Sequence, residues 1–436
     1  MARTAAVLLS LLMATVFGWG QSAAPAKPAP TPGKVLSAWV ELTGAGPSIR
    51  AVVEGGVCPI VRTDFERRQM LVRERASKAF PITVCELGAP RFARHVTVGG
   101  RKLSLTTGRL RRIVVFGDTG CRMKDAQMQA CNDVNQWPFP AIMKAAAAKH
   151  PDLAIHVGDY YYREMPCTLG DAGCSGSPHG DAWPSWAADF FQPASPLLAA
   201  APWVFARGNH EQCGRGADGW FRMLDAGPAP LTCPAIAAPF MLNLPGLDLG
   251  VIDTADMADL QLAPQKVQFY QTQLNLAPRS LSIIRPPDRE EWIVTHRPIW
   301  GFELTQGAEG LLAQNKAMAK VVGRLDKPTA PQLPEADMIL SGHVHFFATL
   351  SFGPLRPVQL ITGDGGTILI DAQTRSGEQT IDGLLTQFTV ADTYGYMLLE
   401  RKGRHNWIGT LYGPKDEVLT TCAFHGRKAL CKPPRK

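Results

Sequence analysis

Five short polar motifs in the chain carry side chains that are suited to binding metal ions. They are Gly117-Asp118-Thr119-Gly120, Gly158-Asp159-Tyr160-Tyr161-Tyr162, Gly208-Asn209-His210-Glu211, Thr295-His296-Arg297-Pro298 and Gly342-His343-Val344-His345. Carboxylate, amide and phenol oxygens and imidazole nitrogens suit iron, zinc or manganese. Two ions about 3.5–4 Å apart can bind both the attacking and the leaving oxygen of an in-line displacement. The residue types therefore predict a hydrolytic centre with two metal ions.

Each motif follows a short apolar segment that we predict to be a β-strand. The predicted strands are residues 113–116, 153–157, 203–206, 292–294 and 338–340. Helix-like stretches, such as residues 139–149 and 265–276, alternate with them, which is typical of an α/β sandwich. In open α/β sheets the ligand crevice lies outside the carboxyl ends of the strands. We therefore expect the five motifs to meet at one edge of the sheet.

The order of these motifs resembles that of the purple acid phosphatases, within the calcineurin-like metallophosphoesterases. Their pattern is GDxG, GDxxY, GNHE, VxxH and GHxH, and the match covers about residues 111–350, with Ile293 in place of the usual valine. Most metallophosphoesterases carry a histidine two residues after the first aspartate, where this chain has Gly120. Tyr162 stands three residues after Asp159, where the purple acid phosphatases place a tyrosinate ligand of a ferric ion.

The resemblance implies a ligand set for Fe(III) and for one divalent ion, which would be Fe, Zn or Mn. The ligands of the ferric ion would be Asp118, Tyr162 and His345, and Asp159 would bridge the two ions. The ligands of the divalent ion would be Asn209, His296 and His343.

The resemblance also implies roles for side chains beside these ligands. His210 would be the catalytic residue, touching the phosphate or protonating the leaving group, and Glu211 would orient a neighbouring imidazole. Arg297 is expected either to pair with phosphate or to form an outward salt bridge. His156, inside an apolar strand, is expected to be a hydrogen-bonded core residue, and residues 363–366 read as a turn.

The activity that the resemblance implies is hydrolysis of phosphate monoesters at acidic pH, by attack of a metal-bound hydroxide. Two alternatives stay open: a phosphodiesterase of the same superfamily, and a non-catalytic metal- or phosphate-binding surface protein. The expected partners are small phosphorylated substrates. Lys and Arg number 45 against 38 Asp and Glu, a mild excess without a basic block long enough to indicate nucleic acid.

The predicted fold class is α/β, a two-sheet α/β sandwich of the metallophosphoesterase type (residues 107–415) preceded by a small antiparallel β-domain (residues 35–106). Residues 1–24 read as a signal peptide, 25–34 as an Ala/Pro-rich linker, and 416–436 as a C-terminal tail with a cysteine pair. The apolar run at residues 5–17 is shorter than the ~20 residues that span a bilayer. We therefore expect a secreted or periplasmic protein without a stable membrane span.

All ten cysteines follow the predicted signal peptide, and an even number in an exported chain favours disulfides. Pairing neighbours along the chain gives five couples, although sequence alone does not determine connectivity. The couples are Cys58–Cys85, Cys121–Cys131, Cys167–Cys174, Cys213–Cys233 and Cys422–Cys431.

Overall fold

The computed structural model describes residues 33–90, 93, 95–105, 108–276, 289–301, 315–323 and 336–434. The strands in the first half of the chain are β1 (Lys34–Thr43), β2 (Gly46–Glu54), β3 (Ile60–Thr63), β4 (Arg67–Gln69), β5 (Leu71–Glu74), β6 (Thr83–Gly88), β7 (Val96–Val98), β8 (Arg101–Leu103), β9 (Arg112–Phe116), β10 (Met123–Lys124), β11 (Gln127–Met128), β12 (Leu153–His156) and β13 (Trp203–Phe205). The strands in the second half are β14 (Phe240–Leu244), β15 (Leu247–Ile252), β16 (Glu290–Thr295), β17 (Met338–Ser341), β18 (Phe347–Ser351), β19 (Val358–Thr362), β20 (Arg375–Ile381), β21 (Leu384–Ala391), β22 (Tyr396–Gly403), β23 (Asn406–Tyr412), β24 (Val418–His425) and β25 (Lys428–Cys431).

The helices are few and short. They are α1 (Phe139–Ala148), α2 (Trp183–Trp186), α3 (Ser195–Ala200), α4 (Ala217–Met223), α5 (Pro264–Leu276) and α6 (Lys316–Val322). A π-helical turn, Ala187–Phe191, follows α2, and 3-10 turns form at Asn209–Glu211 and Gly353–Leu355. The predicted helices at 139–149 and 265–276 are confirmed as α1 and α5. No helix in the described ranges is long and apolar enough to cross a membrane.

Two large sheets form the α/β sandwich that the sequence predicts. The first has the strand order β25-β24-β23-β22-β9-β12-β13-β1-β2-β6-β5, and the second β14-β15-β16-β17-β19-β18-β21-β20. Parallel strands β9, β12 and β13 lie in the first sheet, and parallel strands β15, β16, β17 and β19 in the second. The five strands predicted before the motifs are β9, β12, β13, β16 and β17. The motifs are thus divided between two sheets, whereas we expected a single sheet edge.

The alternation of side chains along β9 shows how the core is built. Ile113 and Val115 belong to the apolar cluster that the two large sheets share, with Leu249 and Val294 of the second sheet. Val114 and Phe116 point to the opposite face, into the cluster that includes Phe139 of α1. Because both faces of a parallel strand are covered, its sequence is a continuous apolar run rather than an alternating one.

Of the N-terminal strands, β1, β2, β5 and β6 extend the first large sheet, and β3, β4, β7 and β8 form a separate four-stranded sheet. They are antiparallel to one another, as expected, but β1 also pairs in parallel with β13, with Glu41 opposite Trp203. Buried Arg50 of β2 forms an ion pair of 2.6 Å with Glu41 and donates a hydrogen bond of 2.9 Å to the carbonyl of Met223. The C-terminal strands β24 and β25 form the opposite edge of the same sheet. The domain boundaries predicted near residues 106 and 415 stay a prediction, and the sheet is continuous across both.

The five disulfides join the neighbouring cysteines in the predicted order. They are Cys58–Cys85, Cys121–Cys131, Cys167–Cys174, Cys213–Cys233 and Cys422–Cys431. The predicted signal peptide and nearly all of the predicted linker lie outside the described residues.

Candidate metal centre

Three predicted ligands follow strand ends with a left-handed backbone. The φ angles of Asp118, Asp159 and His343 are 54°, 62° and 72°. This conformation is rare for residues other than glycine and costs about 1–3 kcal/mol. The surrounding structure must therefore hold the backbone in it, which fixes the direction of the side chain. Glycines make room for these side chains, since a Cβ on Gly208 would lie 2.1 Å from Asp159 Oδ1 and one on Gly342 2.2 Å from Asp118 Oδ2.

Tyr162 is the centre of the first group of polar side chains. Its Oη lies 3.1 Å from Asp118 Oδ1, 2.8 Å from Asp159 Oδ2 and 3.0 Å from His345 Nε2. His345 Nδ1 donates to the carbonyl of Ile368 at 2.8 Å, so Nε2 of the neutral ring presents a lone pair. The phenol of Tyr162 has one proton and can donate it to only one of these three acceptors. The lone pairs of the other two acceptors then face the phenol oxygen without a donor. A cation among these four buried groups resolves that conflict.

A second group lies on the other side of Asp159. Ligand atoms of Asp159, His296 and His343 lie within 4.8 Å of one another. His296 Nδ1 donates to the carbonyl of Val157 at 2.9 Å, so the lone pair of Nε2 faces Asp159 Oδ2 at 3.2 Å and Asn209 Oδ1 at 3.0 Å. As in the first group, acceptors converge, and the donor set fits a divalent metal ion.

Burial lowers the pKa of two predicted imidazole ligands and raises the pKa of one predicted carboxyl ligand. It lowers the pKa of His345 to about 3, with the charge of Arg122 as the next cause. Burial, followed by the charge of Arg297, lowers the pKa of His343 to about 4. Burial and the Asp159 carboxylate raise the pKa of Asp118 well above its usual range. Neutral imidazoles and carboxylates in contact are the state in which metal ions bind.

His210 lies over the ring of Tyr162, with 3.7 Å between the ring centroids. Its Nε2 is 3.9 Å from Asp159 Oδ2, and its Nδ1 is 2.5 Å from Glu164 Oε1. Arg215 Nη2 holds the same Glu164 oxygen at 2.5 Å. Burial lowers the pKa of His210 to about 4. Sequence reasoning missed Glu164 and Arg215, although Glu164 is only two residues beyond Tyr162.

Glu211 has a role other than the one predicted from its motif. Its carboxylate accepts hydrogen bonds from the backbone N–H groups of Asp159, Tyr160, Tyr161 and Gly208, at 2.8–3.1 Å. The prediction that it orients an imidazole is wrong, because the side chain turns inward between the loops that follow β12 and β13. Burial and the Asp159 charge raise its pKa to about 8. Glu211 therefore positions Asp159 through the backbone.

Arg297 forms a salt bridge, one of its two predicted alternatives, but the bridge is partly buried beside His343 and is not directed outward. Its Nη1 pairs with Asp259 and lies 2.7 Å from His343 Nε2. The Asp259 carboxylate is 3.1 Å from the same imidazole nitrogen. Asp259 lies in the loop after β15, outside every motif, and no sequence signal pointed to it.

Two predictions outside the ligand set are confirmed. His156 is buried, contacts Thr119 Oγ1 through Nε2 at 2.9 Å and accepts a hydrogen bond from the Gly158 N–H at 3.1 Å. Residues 363–366 form a bend that lies against the first motif, where the N–H of Gly365 donates to the carbonyl of Gly117 at 3.0 Å.

Comparisons with known proteins concern the family and the fold of the chain. The family model of the calcineurin-like phosphoesterases matches residues 111–347. A purple acid phosphatase isolated from yellow lupin (Lupinus luteus) seeds is similar in structure, with a TM-score of 0.55, 13% identity, and coverage of 88% of this chain and 73% of that chain. PhoD is also similar, with a TM-score of 0.53, 10% identity and coverage of 94% of each chain. At such identities these similarities concern the fold. No curated protein matches the chain in sequence.

Proposed function

Because the chain belongs to the calcineurin-like phosphoesterase family, we propose that it is an exported acid phosphatase that hydrolyses small phosphate monoesters with two metal ions. The observation that carries the proposal is the convergence of Asp118, Asp159 and His345 on the phenol oxygen of Tyr162. A phenolate beside two carboxylates is a hard donor set, which suits Fe(III).

The seven predicted ligands would hold the two ions, with Asp118, Tyr162 and His345 on one side of Asp159 and Asn209, His296 and His343 on the other. When bound, the metal ions would neutralise charge on the ester oxygens and supply a nucleophile by lowering the pKa of water. His296 and His345 are already oriented to bind metal ions through Nε2, since each donates its other ring N–H to a backbone carbonyl.

In its imidazolium form, His210 would donate the Nε2 proton to the departing alcohol, and the Glu164 carboxylate favours this form against the effect of burial. Glu164 holds Nδ1 of the ring, so that Nε2 points toward Asp159 and the space where a substrate would meet the ions. Burial among Tyr162, Glu164 and Arg215 keeps bulk water from this nitrogen. General acid catalysis by a histidine in such a position contributes roughly 10²–10⁴-fold to the rate.

Export is the second part of the proposal. Five disulfides within the described ranges indicate an extracellular compartment, since disulfides persist in oxidising environments. The proposed location is secreted or periplasmic, through the N-terminal signal peptide predicted above.

The proposal is tested by hydrolysis of 4-nitrophenyl phosphate and of its bis(4-nitrophenyl) diester by iron-loaded protein. We expect turnover of the monoester, and a loss of at least about 100-fold in Asp159→Ala and in Asn209→Ala. His95→Gln, which changes an exposed histidine, serves as the control. Unaltered turnover in both ligand variants would assign the activity to another site, and a preference for the diester would favour a phosphodiesterase.

A further inference from the structure

In the part of the chain that the structure describes, one arginine beside the candidate metal centre has no acidic partner. The Cζ atom of Arg122 lies 5.8 Å from the centroid of the Tyr162 ring. Its Nε is buried and, among the residues that the structure describes, has no hydrogen-bond partner. Four other arginines near the site each pair with a carboxylate: Arg163 with Asp189, Arg207 with Asp253, Arg215 with Glu164 and Arg297 with Asp259. Within the same described ranges, Arg122 forms no such ion pair.

The backbone of Arg122 is held in place independently of its side chain. Its N–H donates to Gln129 Oε1 at 2.9 Å, and its carbonyl accepts from the N–H of Gln129 at 2.8 Å. Gln129 Nε2 in turn donates to the carbonyl of Gly366 at 2.8 Å. The preceding residue, Cys121, is disulfide-bonded to Cys131. The arginine therefore projects from a rigid support, and little ordering would be needed when it binds a ligand.

The guanidinium of Arg122 lies at the site itself, over the ring of the predicted ligand Tyr162. A partly buried guanidinium without a counter-ion is a ready partner for phosphate, because its planar donors bind two oxygens at once.

We propose that Arg122 binds the transferred phosphoryl group and makes the site prefer phosphate monoesters to diesters. This inference rests on the proposed phosphoesterase function. A monoester presents three terminal oxygens and up to two negative charges, whereas a diester presents two terminal oxygens and one charge. A cation in addition to the two metal ions therefore favours the monoester.

The test compares Arg122→Ala and Arg122→Lys with the wild type on 4-nitrophenyl phosphate and its bis(4-nitrophenyl) diester. We expect kcat/KM for the monoester to fall about 10–100-fold in Arg122→Ala, as for loss of a charge-assisted hydrogen bond, and that for the diester to fall less than about 3-fold. The inhibition constant of inorganic phosphate should rise by a factor similar to that for the monoester. Arg122→Lys should recover part of both losses, because it keeps the charge. Lys102→Gln is the control, since it removes a positive charge from an exposed position of β8 that has no part in the site.

Equal losses for the two substrates, or an unchanged inhibition constant for phosphate, would overturn the proposal. A change in the visible spectrum of iron-loaded Arg122→Ala without a change in substrate preference would also overturn it, since Arg122 would then support the tyrosine ligand only. If the wild type hydrolyses neither ester, the proposed function fails. Calorimetric binding of inorganic phosphate to wild type and to Arg122→Ala then decides the role of the arginine by itself.

Discussion

At the scale of single residues, the absence of a side chain at Gly120 and the position of Tyr162 are linked by steric contact. A Cβ on Gly120 would lie 2.7 Å from the carbonyl oxygen of Tyr160 and 2.8 Å from the backbone nitrogen of Tyr162. It would also lie 2.9 Å from Cδ2 of the Tyr162 ring. A side chain at position 120 and the observed placement of Tyr162 therefore exclude each other. This explains why the chain lacks the histidine that most metallophosphoesterases carry there.

Gly120→Ala should consequently destabilise the protein by about 1–3 kcal/mol, because the methyl group must displace backbone atoms of the 160–162 loop. Urea unfolding measures the effect, and Gly56→Ala is the control, since no atom of the described residues lies within 4 Å of a Cβ at that position. Equal losses of stability in the two variants would show that the contact between position 120 and Tyr162 does not affect the free energy of unfolding.

A second residue-scale prediction concerns Asp259, whose carboxylate lies 3.1 Å from His343 Nε2. Carboxylates that hold a metal-binding histidine raise its basicity and fix its orientation. Asp259→Asn should therefore weaken the binding of the divalent ion about 10–100-fold, and saturating metal should restore most of the turnover. Competition with a chelator measures the affinity. Asp256→Asn, in the same loop but paired with Lys266, is the control and should titrate like the wild type. Identical chelator curves for Asp259→Asn and the wild type would refute the role of Asp259.

At the scale of elements, the loops after the strands are held by buried polar groups rather than by long helices. Glu211 ties the loop after β12 to the loop after β13 through backbone N–H groups. The bend at residues 363–366, after β19, lies against the first motif, and the N–H of Thr367 donates to the carbonyl of Asp118 at 2.9 Å. Two loops of the first sheet that carry predicted ligands are thereby connected to each other, and a third, the loop after β9, is connected to the second sheet.

The bend contains a buried acid with an unusual pH dependence. Among the described residues, neither carboxyl oxygen of Asp364 has a hydrogen-bond partner. Burial raises its pKa to about 8, far above the value of about 3.9 in an unfolded chain. The folded state therefore binds the proton more tightly than the unfolded state does. As a consequence, Asp364 lowers the free energy of unfolding as the pH rises from about 4 to about 8.

Asp364→Asn removes the charge with little change in shape. The free energy of unfolding of the variant should exceed that of the wild type at pH 8, by on the order of 1–3 kcal/mol, and the difference should shrink toward pH 5. Urea titrations at the two pH values measure it. A difference independent of pH would mean that Asp364 does not titrate between these pH values in the folded protein.

At the scale of the whole molecule, the N-terminal strands complete the sheet on which the site is built. β1 covers the edge of β13, whose carboxyl end leads to Asn209 and His210. Arg73 of β5 donates to four carbonyls in and after α4, those of Phe221, Arg222, Asp225 and Gly227, at 2.7–3.1 Å. Residues 107–436 expressed alone should therefore not unfold cooperatively, which calorimetry measures against the full chain. Cooperative unfolding of this fragment would instead support a separate N-terminal domain.

The sequence allowed the strand ends and their motifs to be predicted because both are local patterns. Apolar runs such as residues 113–116 indicate strands, and glycine followed by aspartate or histidine marks the turn beyond them. The disulfides were predictable because most join cysteines that are close along the chain. The pairing of β1 with β13 was not predictable, since pairing over 160 residues depends on the assembled sheets. Asp259 and Glu164 were missed for the same reason, because only the fold brings them to His343 and His210.

The most direct test of the two-metal centre is anomalous diffraction at the iron edge from crystals of the iron-loaded protein. We expect a peak among Asp118, Asp159, Tyr162 and His345, with the phenol oxygen of Tyr162 as a ligand. A second peak is expected between Asp159 and the side chains of Asn209, His296 and His343, if iron also fills that position. An iron peak elsewhere, with the Tyr162 oxygen outside bonding distance of any metal, would contradict this expectation.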